Sequence, residues 1–295
     1  MGVMRSALMT IGVVNHNTCD SLRLCLESAT AQPAEIIVLD NASTDGSAEM
    51  VQRCFPSVTL LANRNNTGYG AGANQILRST DTEYLLILNS DTLLKQGAVE
   101  ALCAYLDEHP RAAVLGPRLT FPNGRLQRSC RRFPGTFEWL LDNLILGKVI
   151  PALGLFRTWF LNGWKHDRPR VVPWVLGAAF AVRTEALTAI GGFDEKFFLY
   201  CEDIDLCWRL QAAGWEVHFA PVTTVVHVGG ASTRQCSAEL KQQLSNSTTR
   251  LYRQHSFRLG SARFGFFLRT LLLSLVARIA GMYNARVTRG VLSTR

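Results

Sequence analysis

Leu85-Leu86-Ile87-Leu88 places four apolar side chains in a row, and Asn89-Ser90-Asp91-Thr92 follow with no transition. A short apolar run without polar alternation predicts a strand covered on both faces, which confines it to the interior of an α/β sheet. In an open sheet of that kind, ligands bind beyond the carboxyl ends of the strands, so Asn89, Ser90 and Asp91 would face the crevice. Asp91 suits a hard divalent cation and, through it, a diphosphate. Taken alone, the tripeptide reads as well as an Asx turn closing a strand.

The same design recurs upstream. Residues 8–14 predict a strand ending in Asn15-His16-Asn17, with Asp20 or Ser21 capping a helix to about 30. Residues 35–39 predict a second strand, ending in Asp40-Asn41-Ala42-Ser43-Thr44-Asp45-Gly46, before a helix at 47–54 and a short strand at 58–61. An Asn-rich loop, Asn63 to Gly70, opens a helix through Asn74 and Leu77, and a helix at 97–108 and a strand at 112–115 follow Asp91. Strands and helices at this spacing predict βαβ units and a mostly parallel, doubly wound sheet, whose polar strand ends converge on one rim. The chain has no GxGxxG and no GxxxxGK[ST], so dinucleotide and P-loop chemistries lack their fingerprints. In Gly68-Tyr69-Gly70-Ala71-Gly72 the glycines serve either backbone amides facing an anion or close helix–sheet packing.

After Pro117 the alternation breaks. The stretch 118–173, with Arg128, Arg131, Arg132 and three tryptophans, predicts an insertion with an amphipathic helix near 137–145. It is either ordinary core around a loop or a surface for a partly apolar acceptor. Residues 174–182 return as a buried strand with small side chains around Gly177, where backbone or ligand can approach closely. A helix from near Glu202 to 213 starts after Phe197-Phe198-Leu199-Tyr200, with Glu202, Asp203 and Asp205 in its first turn. Those acids suit the helix dipole, but a carboxylate at the mouth of an apolar pocket also suits a general base. Strands at 215–220 and 222–228 end the alternation, the latter carrying His227, on its own a hydrogen-bonded core histidine.

Charge is unevenly placed. Ten basic and no acidic residues lie between Lys241 and Arg295, leaving 21 basic against 23 acidic residues over 1–240. Residues 263–283 are apolar with a stripe of Arg263, Thr270, Ser274 and Arg278, and Arg269 and Arg278 interrupt any run of about 20 apolar residues needed to span a bilayer. The segment predicts a helix lying on an anionic membrane surface, on the inner face of the cytoplasmic membrane, rather than one packed on the catalytic body. This basicity lies outside the crevice and carries no nucleic-acid-binding motif, so no nucleic acid is expected as partner. Eight scattered cysteines without a CxxC pair fit reduced thiols in a cytoplasmic protein, and residues 1–9 lack the apolar core of a secretory signal.

Together, Val13-Val14-Asn15, Asp40 through Gly46, Asn66 through Asn74, Leu88-Asn89-Ser90-Asp91, Gly177-Ala178, and Gly192-Phe193-Asp194-Glu195 through Asp205 resemble the inverting glycosyltransferases of family 2, over about 10–230. The segment Gly124 to Pro134 is of a kind common among the bacterial rhamnosyltransferases of that family, whereas Pro173 stands where that subgroup often has Asp. The resemblance implies a GT-A fold over 1–234, with a nucleotide-sugar half at about 8–117, an acceptor half at about 118–234, and a basic C-terminal region at 235–295. It further implies a UDP- or dTDP-sugar donor and a lipid-linked or glycan acceptor. Asp40 would hold the pyrimidine ring, and Val14, Asn15, Asn41, Ser43, Asn66, Gly68, Tyr69, Asn74, Asn89, Ser90 and Gly177 would surround the nucleotide sugar. Asp91, with His227, would ligate Mg²⁺ or Mn²⁺, the more so because Asn89 replaces the first acid of the usual Asp-x-Asp. Asp203 would deprotonate the acceptor with Glu202 beside it. A non-catalytic nucleotide-sugar or glycan binder on the same fold is the alternative, and retention of Asp40, Asp91 and Asp203 speaks against it. A glycosidase would need two carboxylates flanking a bond and no nucleotide site.

Overall fold

The computed structural model describes residues 9–133, 164–229 and 238–255. The expected helix near 137–145 and the segment 263–283 lie outside them. The chain divides into two compact units, Met1–Phe133 with Phe160–Arg250, and Pro134–Trp159 with Leu251–Arg295. Of the second unit, residues 251–255 are described.

In the first unit, β1 (Met9–Asn15), β2 (Glu35–Asp40), β3 (Thr59–Ala62) and β4 (Tyr84–Asn89) form a parallel block in the order β3-β2-β1-β4. Helices α1 (Cys19–Ala29), α2 (Ser47–Cys54) and α3 (Tyr69–Arg78) make the crossovers. The apolar run that predicted a doubly covered strand does face two cores. Leu86 and Leu88 pack with Leu22, Leu26 and Leu102, while Leu85 and Ile87 pack with Leu39, Ile76 and Phe180. All four are fully buried, so truncating any to alanine costs about 2–5 kcal/mol. Register fixes the rim, because Asn15 stands beside Asp40 and Val14 beside Asn89.

Beyond β4 the sheet becomes mixed. After Asp91 the chain turns into β5 (Thr92–Leu94), a strand missing from the sequence reading, and α4 (Ala98–Glu108) leads to β6 (Ala112–Thr120). Short strands β7 (Leu126–Gln127), β8 (Cys130–Arg131), β9 (Arg170–Val171) and β10 (Trp174–Val175) precede β11 (Ala179–Arg183) and the helix α5 (Thr184–Ala189). Helix α6 (Glu202–Ala212), β12 (Glu216–His227) and α7 (Ala238–His255) complete the described chain. β11 runs antiparallel between β4 and β6, and β12 pairs parallel to β6 and antiparallel to β5.

Four expectations are corrected. The strand expected at 174–182 is two strands, broken at Leu176-Gly177-Ala178 because those residues bond to other elements. The two strands expected at 215–220 and 222–228 are one, and the strand at 112–115 continues to Thr120. Pro117 and Pro221 cause the misreading: both sit at the register shift between Phe219 and Thr224, where a missing N–H leaves no ladder bond unmade. Neither Asp20 nor Ser21 caps α1, since Thr18 is its N-cap residue without a side-chain cap bond. Asp45 Oδ2, from the loop after β2, accepts the Cys19 N–H at 2.8 Å instead.

Candidate functional site

The rim of the parallel block carries one hydrogen-bonded network. Asn15 Nδ2 donates to Asp40 Oδ1 at 2.8 Å and to Ser43 Oγ at 3.1 Å, while the Ser43 N–H donates to Asp40 Oδ2 at 2.9 Å. Thr18 Oγ1 donates to Asn15 Oδ1 at 2.6 Å and lies 2.6 Å from Ser90 Oγ, joining the end of β1 to the turn after β4. Asp40 is buried, and each of its carboxyl oxygens accepts a hydrogen bond.

The Asn-rich loop is held from within. Asn41 Nδ2 donates to the Gly68 carbonyl at 2.9 Å, and its Oδ1 accepts from Asn63 Nδ2 and from the Thr67 N–H and hydroxyl. Asn66 Oδ1 accepts the Gly68 N–H at 2.9 Å. Asn74, expected at the nucleotide sugar, is hydrogen-bonded to the segment ahead of α6: its amide oxygen accepts the Phe193 N–H, and its amide nitrogen donates to the Phe193 carbonyl and Glu195 Oε1. These amides shape the loop, and Asn74 ties α3 to the segment leading into α6. The glycine run serves packing, with Gly70 against Phe193 and Gly72 against Val14 and Leu39. Gly68 has φ +88° and lies against Phe198, so only glycine suits both its conformation and its space.

The pairing of β5 with β12 sets His227 opposite Thr92 and brings two distant residues together. His227 Nε2 lies 3.2 Å from Asp91 Oδ1, and Nδ1 lies 2.9 Å from Gln127 Oε1. Asp91 and Gln127 thus hold the imidazole through both of its ring nitrogens. Carboxylate oxygen plus imidazole nitrogen fits a divalent ion such as Mg²⁺ or Mn²⁺, and Gln127 orients the ring from behind. Among the described residues no cluster of three or more His, Cys, Asp or Glu side chains is gathered.

Glu202 and Asp203 open α6 behind a strained turn. Tyr200 and Cys201 both occupy the left-handed region, with φ of 68° and 69°, although neither is glycine. Such residues cost about 1–3 kcal/mol each and persist where the surroundings impose them. Here the Leu199 carbonyl accepts from Ser247 Oγ of α7 at 2.7 Å, and the Phe198 carbonyl accepts the Tyr69 N–H at 2.9 Å. Asp203 Oδ2 accepts the Gly177 N–H at 2.9 Å and Oδ1 accepts its neighbour Ile204's N–H at 2.8 Å. Burial raises the pKa of Asp203, while those amides and the nearby Arg131 guanidinium oppose the rise. Glu202 is buried with no hydrogen-bond partner for Oε2 among the described residues. Burial and the adjacent Asp203 charge push it up to about 8. Both acids are thus shifted toward the neutral form, Glu202 without a donor to offset its burial and Asp203 with two backbone amides that favour its charge.

Tyr69 sits among all of these acids. Burial, then Glu202, Asp203 and Asp91, raise its pKa well above the ordinary phenol value, so its hydroxyl is a neutral donor, and it donates to the Gly177 carbonyl at 3.0 Å. Sequence reasoning missed Thr18, Asp45, Gln127, Arg131 and Ser247. Gln127 and Arg131 lie in the segment singled out after Gly124, which was the only signal available; Thr18 and Ser247 gave none.

The sequence profile of Glycosyl transferase family 2 matches residues 10–162, and that of Glycosyl transferase family group 2 matches residues 152–293. The chain is 32% identical over 227 residues to an N-acetylglucosaminyl-diphospho-decaprenol L-rhamnosyltransferase of Mycobacterium tuberculosis, covering 70% of this chain and 71% of that one. It is 26% identical over 231 residues to Rhamnosyltransferase WbbL of Escherichia coli K12, covering 75% of this chain and 83% of that one. Among solved structures, GalNAc-T7 with UDP, GalNAc and Mn²⁺ shares the fold at a TM-score of 0.55 and 14% identity, over 76% of this chain and 44% of that one. The fold is GT-A, and the chain is a glycosyltransferase that belongs to glycosyl transferase family 2.

Proposed function

We propose that this glycosyltransferase is inverting and metal-dependent, moving rhamnose, galactose or a similar hexose from a UDP- or dTDP-sugar to a lipid-linked or cell-surface glycan. The observation that carries the reading is the Asp203 carboxylate, held by two backbone amides on the rim that also bears the Asn15–Asp40–Ser43 network and the Asp91–His227 pair. The acceptor oxygen attacks the anomeric carbon as the bond to the leaving diphosphate breaks, and Asp203 takes the hydroxyl proton. Attack opposite the leaving group inverts the anomeric centre. Asp91 and His227 would hold a divalent ion, which would supply positive charge against the leaving diphosphate. Asp40, Asn15 and Ser43 offer the polar edge for the base and ribose. The acceptor class draws support from the diphospho-decaprenol named for the mycobacterial relative. The basic region 235–295 fits a peripheral place on the inner face of the cytoplasmic membrane, and no helix among the described residues is long and apolar enough to cross one. A thermal-shift and hydrolysis screen of UDP- and dTDP-sugars, with and without Mn²⁺, tests the reading. A Mn²⁺-dependent response to one donor class is expected, and silence from all of them overturns it.

A further inference from the structure

Leu176-Gly177-Ala178 interrupts what would otherwise be one strand, and its backbone groups reach three other elements and the loop between β7 and β8. The Leu176 N–H donates to the Ser129 carbonyl at 2.8 Å, and the Ala178 carbonyl accepts the Asn89 N–H at 2.9 Å. Between them, the Gly177 N–H holds Asp203 Oδ2 at 2.9 Å while the Gly177 carbonyl takes the Tyr69 hydroxyl at 3.0 Å. Tyr69 also grips the other flank of the acid pair, through its N–H to the Phe198 carbonyl ahead of the strained turn. Its ring packs edge-on to Phe193 at 6.4 Å, so the hydroxyl is aimed by a fixed aromatic plane. Gly177 has little slack of its own, since a Cβ there would lie 3.3 Å from Asp203 Cβ and Oδ2.

We propose that Tyr69 is a positioning residue of the transfer reaction: its hydroxyl fixes the Gly177 backbone, which in turn aims the Asp203 carboxylate at the crevice. The inference rests on Asp203 being the base. It departs from the expectation that Tyr69 contacts the nucleotide sugar, and the two roles have different kinetic signatures. A donor contact is lost as a higher donor KM, whereas a misaimed base is lost as kcat. The route through Gly177 also makes Tyr69 and Gly177 one device, so their substitutions do not add.

The test uses the full chain with UDP-galactose, UDP-N-acetylglucosamine and dTDP-rhamnose, following transfer to a short-chain N-acetylglucosaminyl diphosphate prenol and hydrolysis without acceptor. Tyr69→Phe keeps the ring and removes only the hydroxyl. A fall in kcat of about tenfold or more, with donor KM within about twofold of wild type, is expected. Gly177→Ala presses on the same carboxylate and is expected to show the same split, with the double variant no slower than the slower single. Rates are compared where circular dichroism matches wild type. A Tyr69→Phe chain with unchanged kcat, a loss confined to donor KM, or losses that multiply in the double variant overturns the proposal. Asp203→Asn serves as the reference. If that variant still turns over, or no donor reacts with wild type, the functional reading itself fails. If Asp203→Asn is inert while Tyr69→Phe is normal, only the role of Tyr69 falls.

Discussion

The two sides of the crevice are built on opposite terms. On the β1–β2–β4 side, Asn15, Asp40, Ser43, Thr18 and Ser90 satisfy one another, and the Asn-rich loop is braced by Asn41 and Asn66. On the α6 side, two left-handed residues lead into an acid pair, half-buried Asp203 and buried Glu202, whose Oε2 has no partner among the described residues. A saturated network is preformed and costs little to keep, so it suits recognition. Strain and unbalanced charge are kept only by surrounding structure, and they suit chemistry. Substitutions on the first side should therefore change binding, and on the second, turnover and stability.

Asp203→Asn is the sharpest cut between them. Transfer is expected to fall by about 10²–10⁴-fold with donor affinity retained, measured by steady-state kinetics and calorimetry with the sugar nucleotide and Mn²⁺. Equal loss of donor affinity would erase the distinction. Gln127→Leu tests whether the Asp91–His227 pair depends on support from behind. Removing the amide oxygen at Nδ1 is expected to weaken Mn²⁺ binding by about 10–100-fold, read by titration in the presence of UDP. Asn15→Ala, on the proposed recognition side, breaks three hydrogen bonds, to Asp40, Ser43 and Thr18, and is expected to weaken donor binding about tenfold, with kcat nearly unchanged. A drop in kcat alone would place Asn15 with the chemistry.

The acid pair also predicts a pH signature. Glu202 has a folded pKa raised to about 8, so between its ordinary value and about 8 the folded chain holds a proton that the unfolded chain releases. Stability is accordingly unaffected by this group below about pH 4.5 and is lost as pH rises toward 8. Denaturant unfolding across that range should show the slope in wild type, and Glu202→Gln should flatten it. The smallest effect expected is that of Ser247→Ala, which frees the Leu199 carbonyl beside the strained turn. A loss of about 1 kcal/mol, or roughly 2–4 °C in Tm, is expected.

The parallel block was legible because its strands announce themselves: unbroken apolar runs ending in Asn or Asp, separated by helical spacing. Asp40 and Asp91 stood out at strand ends for the same reason, Asp203 stood out as an acid opening a helix after an apolar run, and the resemblance implied their roles. What escaped was whatever depends on partners far away in the chain. Three residues, Thr92–Leu94, have no periodicity to betray a strand that exists because β12 arrives beside it. Pro117 and Pro221 look like strand ends and are instead the two sides of one bulge. Asn74 looked like part of a binding loop, yet its amide is spent on Phe193 and Glu195, more than a hundred positions on. Hydrophobic pattern fixes faces and ends, but not which distant backbone a polar side chain will meet.

The Asp91–His227 contact has a consequence for the order in which this protein becomes competent. Its halves come from β4's exit and from the last residue of β12, far apart in the sequence. Joining them closes a long loop, a step whose entropy is recovered only once β6, β11 and β12 are in place. Ribosomal synthesis would deliver the donor rim long before His227 emerges. A nascent chain carrying only the parallel block would present Asp91 without His227, so on the proposed metal site any Mn²⁺ capture would report that the whole sheet had assembled.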